Sequence, residues 1–174
     1  MESLRLIPVG DGVPLALLDQ VAAALARRLG WSCHVVTHAV DAGFAWDLKR
    51  NQYYSTALLK HLADSPGKER VLGIAACDLY VPVLTFVFGE AQLSGRAALA
   101  SYHRLRQDYY GLPPDEAVLL DRLVKECVHE LGHTLGLRHC SDWQCVMASS
   151  HGVERVDVKS ADFCRECERA AGFR

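Results

Sequence analysis

The stretch HELGHTLGLRH, residues 129–139, contains three histidines and one glutamate at the spacing of a metal site. On an α-helix, which turns about 100° per residue, His129 and His133 lie on one face, one turn apart. Two imidazoles in that arrangement can bind one metal ion, and Glu130 beside them can accept a proton from a metal-bound water. The pattern therefore predicts a helix that carries two zinc ligands together with a general base.

The third histidine requires this helix to end. His139 comes six residues after His133, which would place it roughly 240° around a continuing helix. Gly136 lies between them, and glycine adopts φ > 0 without steric cost, so the helix can stop there and the chain can return His139 to the metal. Three neutral imidazoles leave a fourth position for water, which is typical of a catalytic zinc. The alternative, an amphipathic helix with incidental histidines, requires the whole spacing to be a coincidence.

This long form of the motif resembles that of the metzincin metallopeptidases. The resemblance implies a methionine-containing turn beneath the metal soon after the third histidine, and Met147 is well placed for it. The series H-E-x-x-H-x-x-G-x-x-H-C, four residues, C-x-M and a late C-x-x-C is similar to that of the archaemetzincin family. Residues 129–167 carry this resemblance, and its cysteines are Cys140, Cys145, Cys164 and Cys167.

In archaemetzincins the four cysteines bind a structural zinc, so the resemblance implies two zinc ions per chain, one catalytic and one structural. Four thiolates in two pairs also suit a closed tetrahedral site. Neighbours in an extended segment point to opposite sides, so His139 can face one metal and Cys140 the other. Disulfides and plain buried thiols are the alternatives. The odd total of seven cysteines and the absence of an evident secretory signal argue against a disulfide framework.

Composition and charge argue against several other classes of protein. The 174 residues are 50% hydrophobic, which suits one domain that buries about 70% of its unfolded surface. The 19 Lys+Arg against 21 Asp+Glu predict no nucleic-acid partner, zinc ribbon included, and no attraction to an anionic membrane. No apolar stretch reaches the ~18 residues that span a bilayer. We expect a cytoplasmic location, because the start MESLRLIPVG has no long apolar segment. We also expect the protein to be a monomer.

Apolar periodicity and turn signals predict strands that alternate with helices. This order indicates an α/β (α+β) fold with a mostly parallel five-stranded sheet and packed helices. The metzincin resemblance adds one antiparallel edge strand that lines the cleft, for which residues 86–91 are the candidate. The predicted strands are residues 4–9, 33–40, 71–77, 86–93 and 97–102, and the predicted helices are residues 14–29, 55–63 and 115–135.

The whole chain, residues 1–174, is expected to form one catalytic domain. An upper subdomain would cover about residues 1–139, and a lower subdomain with the methionine turn about residues 140–174. The lower segment is too short for a core of its own, so a structural zinc would supply its folding free energy.

The motif and the resemblance imply a zinc metallopeptidase that acts on peptide or protein substrates. A bound zinc lowers the pKa of its water, and Glu130 would then act as the general base. Two other functions stay open, a zinc protein that binds a peptide or partner without turnover and a zinc hydrolase of a non-peptide amide. Some metzincins have a tyrosine two positions after the methionine, but this chain has Ser149 there. His151 is close enough in sequence to approach the metal, and its role stays open.

Overall fold

A computed structural model describes residues 2–173 of the protein, and its helices and strands are numbered in chain order. They are β1 (Ser3–Val9), α1 (Leu15–Leu29), β2 (Ser32–Val35), β3 (Trp46–Asp47), β4 (Gln52–Tyr54), α2 (Ser55–Ala63), β5 (Arg70–Ala75), β6 (Leu79–Tyr80), β7 (Gly89–Ala91), β8 (Ala97–Ser101), α3 (Glu116–Thr134), α4 (Val153–Val158) and α5 (Arg165–Ala170). Short 3-10 turns precede β3 and α3.

The main sheet has five strands in the order β2-β1-β5-β8-β7. The first four run parallel, and β7 pairs antiparallel with β8 at one edge. The predicted α/β class, the mostly parallel sheet and the antiparallel edge strand are therefore confirmed. Residues 97–101 of β8 are all buried, as expected for a parallel strand covered on both faces.

Two apolar layers cover the sheet because successive side chains of each strand point to opposite faces. On one face, Leu72 and Ile74 of β5 pack with α1 and α3. On the other face, Val71 and Ala75 pack with α2. Gly73 lies on this second face, where a Cβ atom would come 2.5 Å from Leu62 Cδ1. The helix that carries the metal motif is thus on the α1 side of the sheet.

Two of the predicted strands extend several residues beyond the strands that the structure shows. The strand predicted at residues 33–40 ends at Val35. Beyond it, the N–H of Val36 donates to Leu6, and Val40 forms an isolated bridge to Val9. The strand predicted at residues 86–93 is reduced to β7, because Val87 bridges to Leu79 of β6 instead of continuing beside β8.

A small second sheet, with the order β3-β4-β6, was not predicted. Its strands have only two or three residues, which is too short to show a period-two pattern. Helices α4 and α5, six residues each, were also not predicted. By contrast, α2 has the predicted bounds, and α1 and α3 agree with prediction to within one residue at each end.

Local signals set both ends of α3. Asp115 caps the start, and its side chain accepts a hydrogen bond from the backbone N–H of Val118 at 3.0 Å. The helix ends at Thr134, and Gly136 has φ 88°, which confirms the left-handed turn predicted there. Within residues 2–173, no helix combines the length and apolarity needed to cross a bilayer.

The close approach of α2 to the sheet predicts a cost for any side chain at position 73. Gly73→Ala should destabilise the fold by about 1–3 kcal/mol, because the added methyl group overpacks the layer between Leu62 and Leu99. Urea unfolding measures the change. Gly43→Ala is the control, since its methyl group would meet only the side chain of Asp41, and an unchanged midpoint for Gly73→Ala would contradict this packing.

Candidate metal centre and active-site cleft

Three histidines converge at the end of α3. Helical spacing places His129 and His133 on one face, with ring centroids 4.8 Å apart. The turn at Gly136 returns the chain, so that the ring of His139 lies 5.3 Å from that of His129 and 5.2 Å from that of His133. One ligand atom from each histidine lies within 4.8 Å of the others, a geometry that fits one metal ion.

Hydrogen bonds fix the tautomers of the first two rings. Nδ1 of His129 lies 2.8 Å from the carbonyl oxygen of Val146, and Nδ1 of His133 lies 2.8 Å from that of Leu137. A carbonyl oxygen only accepts, so each Nδ1 carries the proton and each neutral ring presents a lone pair at Nε2. These two Nε2 atoms face each other at 3.2 Å. Two lone pairs at that distance repel unless a cation lies between them, so the residues fit a zinc ion.

Lowered pKa values favour the neutral form that metal binding requires in the rings of His129 and His139. The pKa of His129 lies well below its usual range, mainly because burial disfavours the imidazolium and also because Lys159 is nearby. Burial also lowers the pKa of His139, and His133 adds to the effect.

Glu130 is buried beside the histidines and lines the same cleft. The pKa of its carboxyl group lies well above the usual range, mainly because the group is buried and secondly because the charge of Glu126 is nearby. Edge strand β7 makes room for this side chain at Gly89, where a Cβ atom would lie 2.7 Å from Glu130 Oε1. One turn earlier on α3, Glu126 forms an ion pair with Lys159 at 2.9 Å, and both side chains are buried.

Met147 packs directly against the metal-ligand helix. A Cβ atom at Gly132 would collide with Met147 Sδ and come 3.1 Å from Phe163, so only glycine lets the methionine approach this closely. The backbone of the same turn holds the neighbouring groups. The carbonyl of Val146 accepts from His129, and the carbonyl of Met147 accepts from the N–H of Cys140 at 2.9 Å.

Four cysteines form a second cluster just beyond the third histidine. One sulfur atom from each lies within 4.8 Å of the others, and all seven cysteines of the chain are free thiols in the structure. Cys145 Sγ accepts backbone N–H groups from Met147 at 3.4 Å and Cys164 at 3.3 Å, and these bonds partly oppose the burial that raises the pKa of its thiol. The pKa of Cys164 is lowered, mainly by the backbone N–H of Cys167. The members of the cluster are Cys140, Cys145, Cys164 and Cys167.

The other three cysteines lie elsewhere. Cys127 is buried in the core on the α1 side of the sheet and faces away from the metal centre, as its position on α3 predicts. Cys33 and Cys77 are half-buried and pack against the two core layers.

A cleft of about 670 Å³ joins the histidines to the edge of the sheet. Residues 84–91 and Leu93 line this cleft, together with residues 149–151. Strand β7 is at the end of the sheet order, so its outer edge has no neighbouring strand in the described part of the chain.

Several residues of this site were not found from the sequence. A side chain at Gly89 would collide with Glu130, and one at Gly132 would collide with Met147. No pattern in the sequence identifies such a close approach. Glu126 and Lys159 are 33 positions apart, so their pairing has no local signal. Arg138, which also lines the cleft, lies inside the motif itself and could have been considered.

Comparisons with known proteins agree with this geometry. Residues 33–171 match the model of Peptidase family M54. The archaemetzincin of Methanocaldococcus jannaschii is 39% identical over 163 residues, which cover 92% of this chain and 87% of the relative.

Solved structures are similar over almost the whole chain. The archaemetzincin of Archaeoglobus fulgidus, in complex with malonate, is 35% identical, with a TM-score of 0.84 and coverage of 97% of this chain and 99% of that one. A zinc-dependent peptidase of Methanocorpusculum labreanum is 28% identical, with a TM-score of 0.87 and the same coverage. The resemblance seen in the sequence is confirmed, and the chain belongs to peptidase family M54, the archaemetzincin family of zinc metallopeptidases.

Proposed function

We propose that His129, His133 and His139 hold a catalytic zinc at which this enzyme hydrolyses peptide bonds. The pair of Nε2 lone pairs that face each other at 3.2 Å is the observation that carries the proposal. When bound, zinc supplies Lewis-acid chemistry, since it polarises a carbonyl and acidifies a water.

Glu130 is the general base and is not a metal ligand. Its carboxylate takes one proton from the attacking water, whose oxygen bonds to the scissile carbonyl carbon, and passes that proton to the leaving amine. Burial raises the proton affinity of this carboxyl group, which favours its protonated form midway through the reaction. Gly89 keeps open the space that Glu130 occupies beside the strand.

The substrate binds as an added strand on the outer edge of β7. The carbonyl of Phe88 and the N–H of Gln92 bond toward β8, to Ser101 and Ala97. Bonding direction alternates along an antiparallel strand, so the backbone groups of Gly89 and Ala91 point outward. An extended peptide can bond to these groups and lie across the histidines.

Cys140, Cys145, Cys164 and Cys167 hold a second, structural zinc, which gives two zinc ions per chain. Support comes from the four converging sulfur atoms and from the N–H groups that Cys145 accepts. Residues 140–174 then form a lower subdomain of a single domain, below an upper subdomain of residues 1–139. A four-cysteine zinc site requires reduced thiols, which favours a cytoplasmic location. That the protein is a monomer without a nucleic-acid or membrane partner stays a prediction.

The catalytic proposal predicts that two substitutions separate chemistry from metal binding. Glu130→Gln should keep both zinc ions and lose about 10²–10⁴-fold in turnover, because only the base is removed. His133→Ala should lose the catalytic zinc together with activity. Hydrolysis of a peptide library, with zinc content measured for each protein, tests both.

Two outcomes of this experiment would favour the other functions. Equal background rates in wild type and in zinc-loaded Glu130→Gln, with peptides still bound, would indicate a binding protein without turnover. Cleavage of small amides but of no peptide would indicate a hydrolase of another amide.

The structural zinc predicts that the cysteines affect folding. Cys164→Ser should reduce the zinc content from two ions toward one and lower the melting temperature, because a structural metal contributes folding free energy directly. Cys33→Ser is the matched control, since Cys33 is also half-buried but lies outside the cluster. The structural site would be ruled out if both variants kept the metal content and melting temperature of the wild type.

The contact of Met147 with Gly132 predicts that Gly132→Ala is harmful, although a glycine-to-alanine change inside a helix is normally favourable. Alanine inside a helix normally stabilises by about 1 kcal/mol, but Gly132→Ala should weaken catalytic zinc binding about 10–100-fold by displacing the turn that orients His129. Chelator competition measures the affinity. Gly132→Ala/Met147→Ala should recover part of it, because the smaller side chain removes the collision, and no recovery would contradict this cause.

A further inference from the structure

The charged side chains that line the cleft differ in whether they already have a partner. The carboxylate of Glu90 accepts hydrogen bonds from the hydroxyl groups of Ser55 and Thr56 at the start of α2. Glu126 is neutralised by its buried ion pair with Lys159. Glu130 is reserved for the reaction. Three of the four charged residues of the cleft therefore have an assigned role or partner.

Arg138 is the fourth, and it is exposed with no hydrogen bond or ion pair to any side chain or carbonyl among residues 2–173. The rest of the nearby lining is largely apolar and includes Leu84, Phe86, Phe88 and Leu93. A negative group of a bound peptide can therefore pair with Arg138 without displacing another partner among residues 2–173.

The fold places Arg138 at one end of the path proposed for the substrate. The backbone N–H of Ser94, just past β7, donates to the carbonyl of His133 at 2.9 Å. A Cβ atom on Gly136 would come 3.0 Å from Ser94 Oγ, so the turn after α3 abuts the end of the edge strand. Arg138 is two residues beyond that turn and one residue before His139, within reach of a side chain that flanks the scissile bond.

We infer that Arg138 determines specificity and that the preferred substrates carry a carboxylate, from Asp, Glu or a chain terminus, close to the scissile bond. This inference rests on the proposed peptidase function and adds the class of substrate. A guanidinium group binds a carboxylate through two parallel N–H···O bonds, which gives a direction as well as an attraction. Arg138 contributes to substrate binding and leaves the chemistry to Glu130.

A charge-reversal experiment tests the inference. Peptides that differ only by Glu, Gln or Lys at each position around the cut are compared for wild type, Arg138→Gln and Arg138→Glu. Wild type should prefer Glu at one position by about tenfold in kcat/KM, the size of a charge-assisted hydrogen bond. Arg138→Gln should abolish this preference, and Arg138→Glu should prefer Lys at the same position.

The ratio of the rates for the Glu and Gln peptides within each protein measures specificity, and the zinc content of each variant separates loss of specificity from damage to the neighbouring metal centre. Arg27→Glu is the matched control, because it changes the net charge equally from the exposed side of α1, outside the cleft. The preference of the wild type for Glu should also decrease as salt is raised from 0.1 M toward 1 M, since screening shortens to about 3 Å.

Binding provides a readout that does not depend on turnover. In a Glu130→Gln background, the Kd of the Glu peptide should rise about tenfold when Arg138→Gln is added, while the Kd of the Gln peptide stays constant. Absence of an acidic preference in wild type, or its persistence in both Arg138 variants, would overturn the inference and leave the peptidase function intact. Failure of every peptide to be cleaved or bound would overturn both.

Discussion

The orientation of two imidazole rings is the constraint on which the rest of this structure depends. The carbonyls of Val146 and Leu137 hold the Nδ1 protons of His129 and His133, and the two Nε2 lone pairs are thereby directed at each other. Both carbonyls belong to the chain that follows α3. The path of that chain, from the end of the helix to the methionine turn, therefore fixes the orientation of two rings on the helix before it.

The segment that follows α3 and orients the two rings is too short to be held by apolar burial alone. Met147 of this segment packs against Gly132 of α3, and Lys159 pairs with Glu126 of the same helix. The cysteine cluster joins residues 140–145 to residues 164–167. Arg122 of α3 also binds both carboxylate oxygens of Asp157, at 2.6 and 2.7 Å. These specific contacts add to the apolar burial of the segment, whose Val146, Met147, Val153 and Val156 belong to the core on the α1 side of the sheet.

The cleft combines an open strand edge with the buried carboxyl group of Glu130. Gly89 serves both, since its backbone groups face outward and its missing side chain leaves space for Glu130. In our proposal an extended peptide binds through the backbone of β7, so that discrimination among peptides depends on side chains at the rim of the cleft. Arg138 is the rim residue whose charge is not balanced by a neighbour in the described part of the chain.

The sequence by itself determined the features that local spacing encodes. Periodicity, caps and motif spacing predict the bounds of α2 and α3 and the parallel direction of the central strands. They also predict the turn at Gly136 and the convergence of the three histidines. Only the tertiary structure decided the length of β7, the second sheet, the Glu126–Lys159 pair and the close approaches at Gly89 and Gly132. These depend on partners far apart in the chain, or on a side chain that is absent, and neither produces a periodic pattern that can be recognised before the chain is folded.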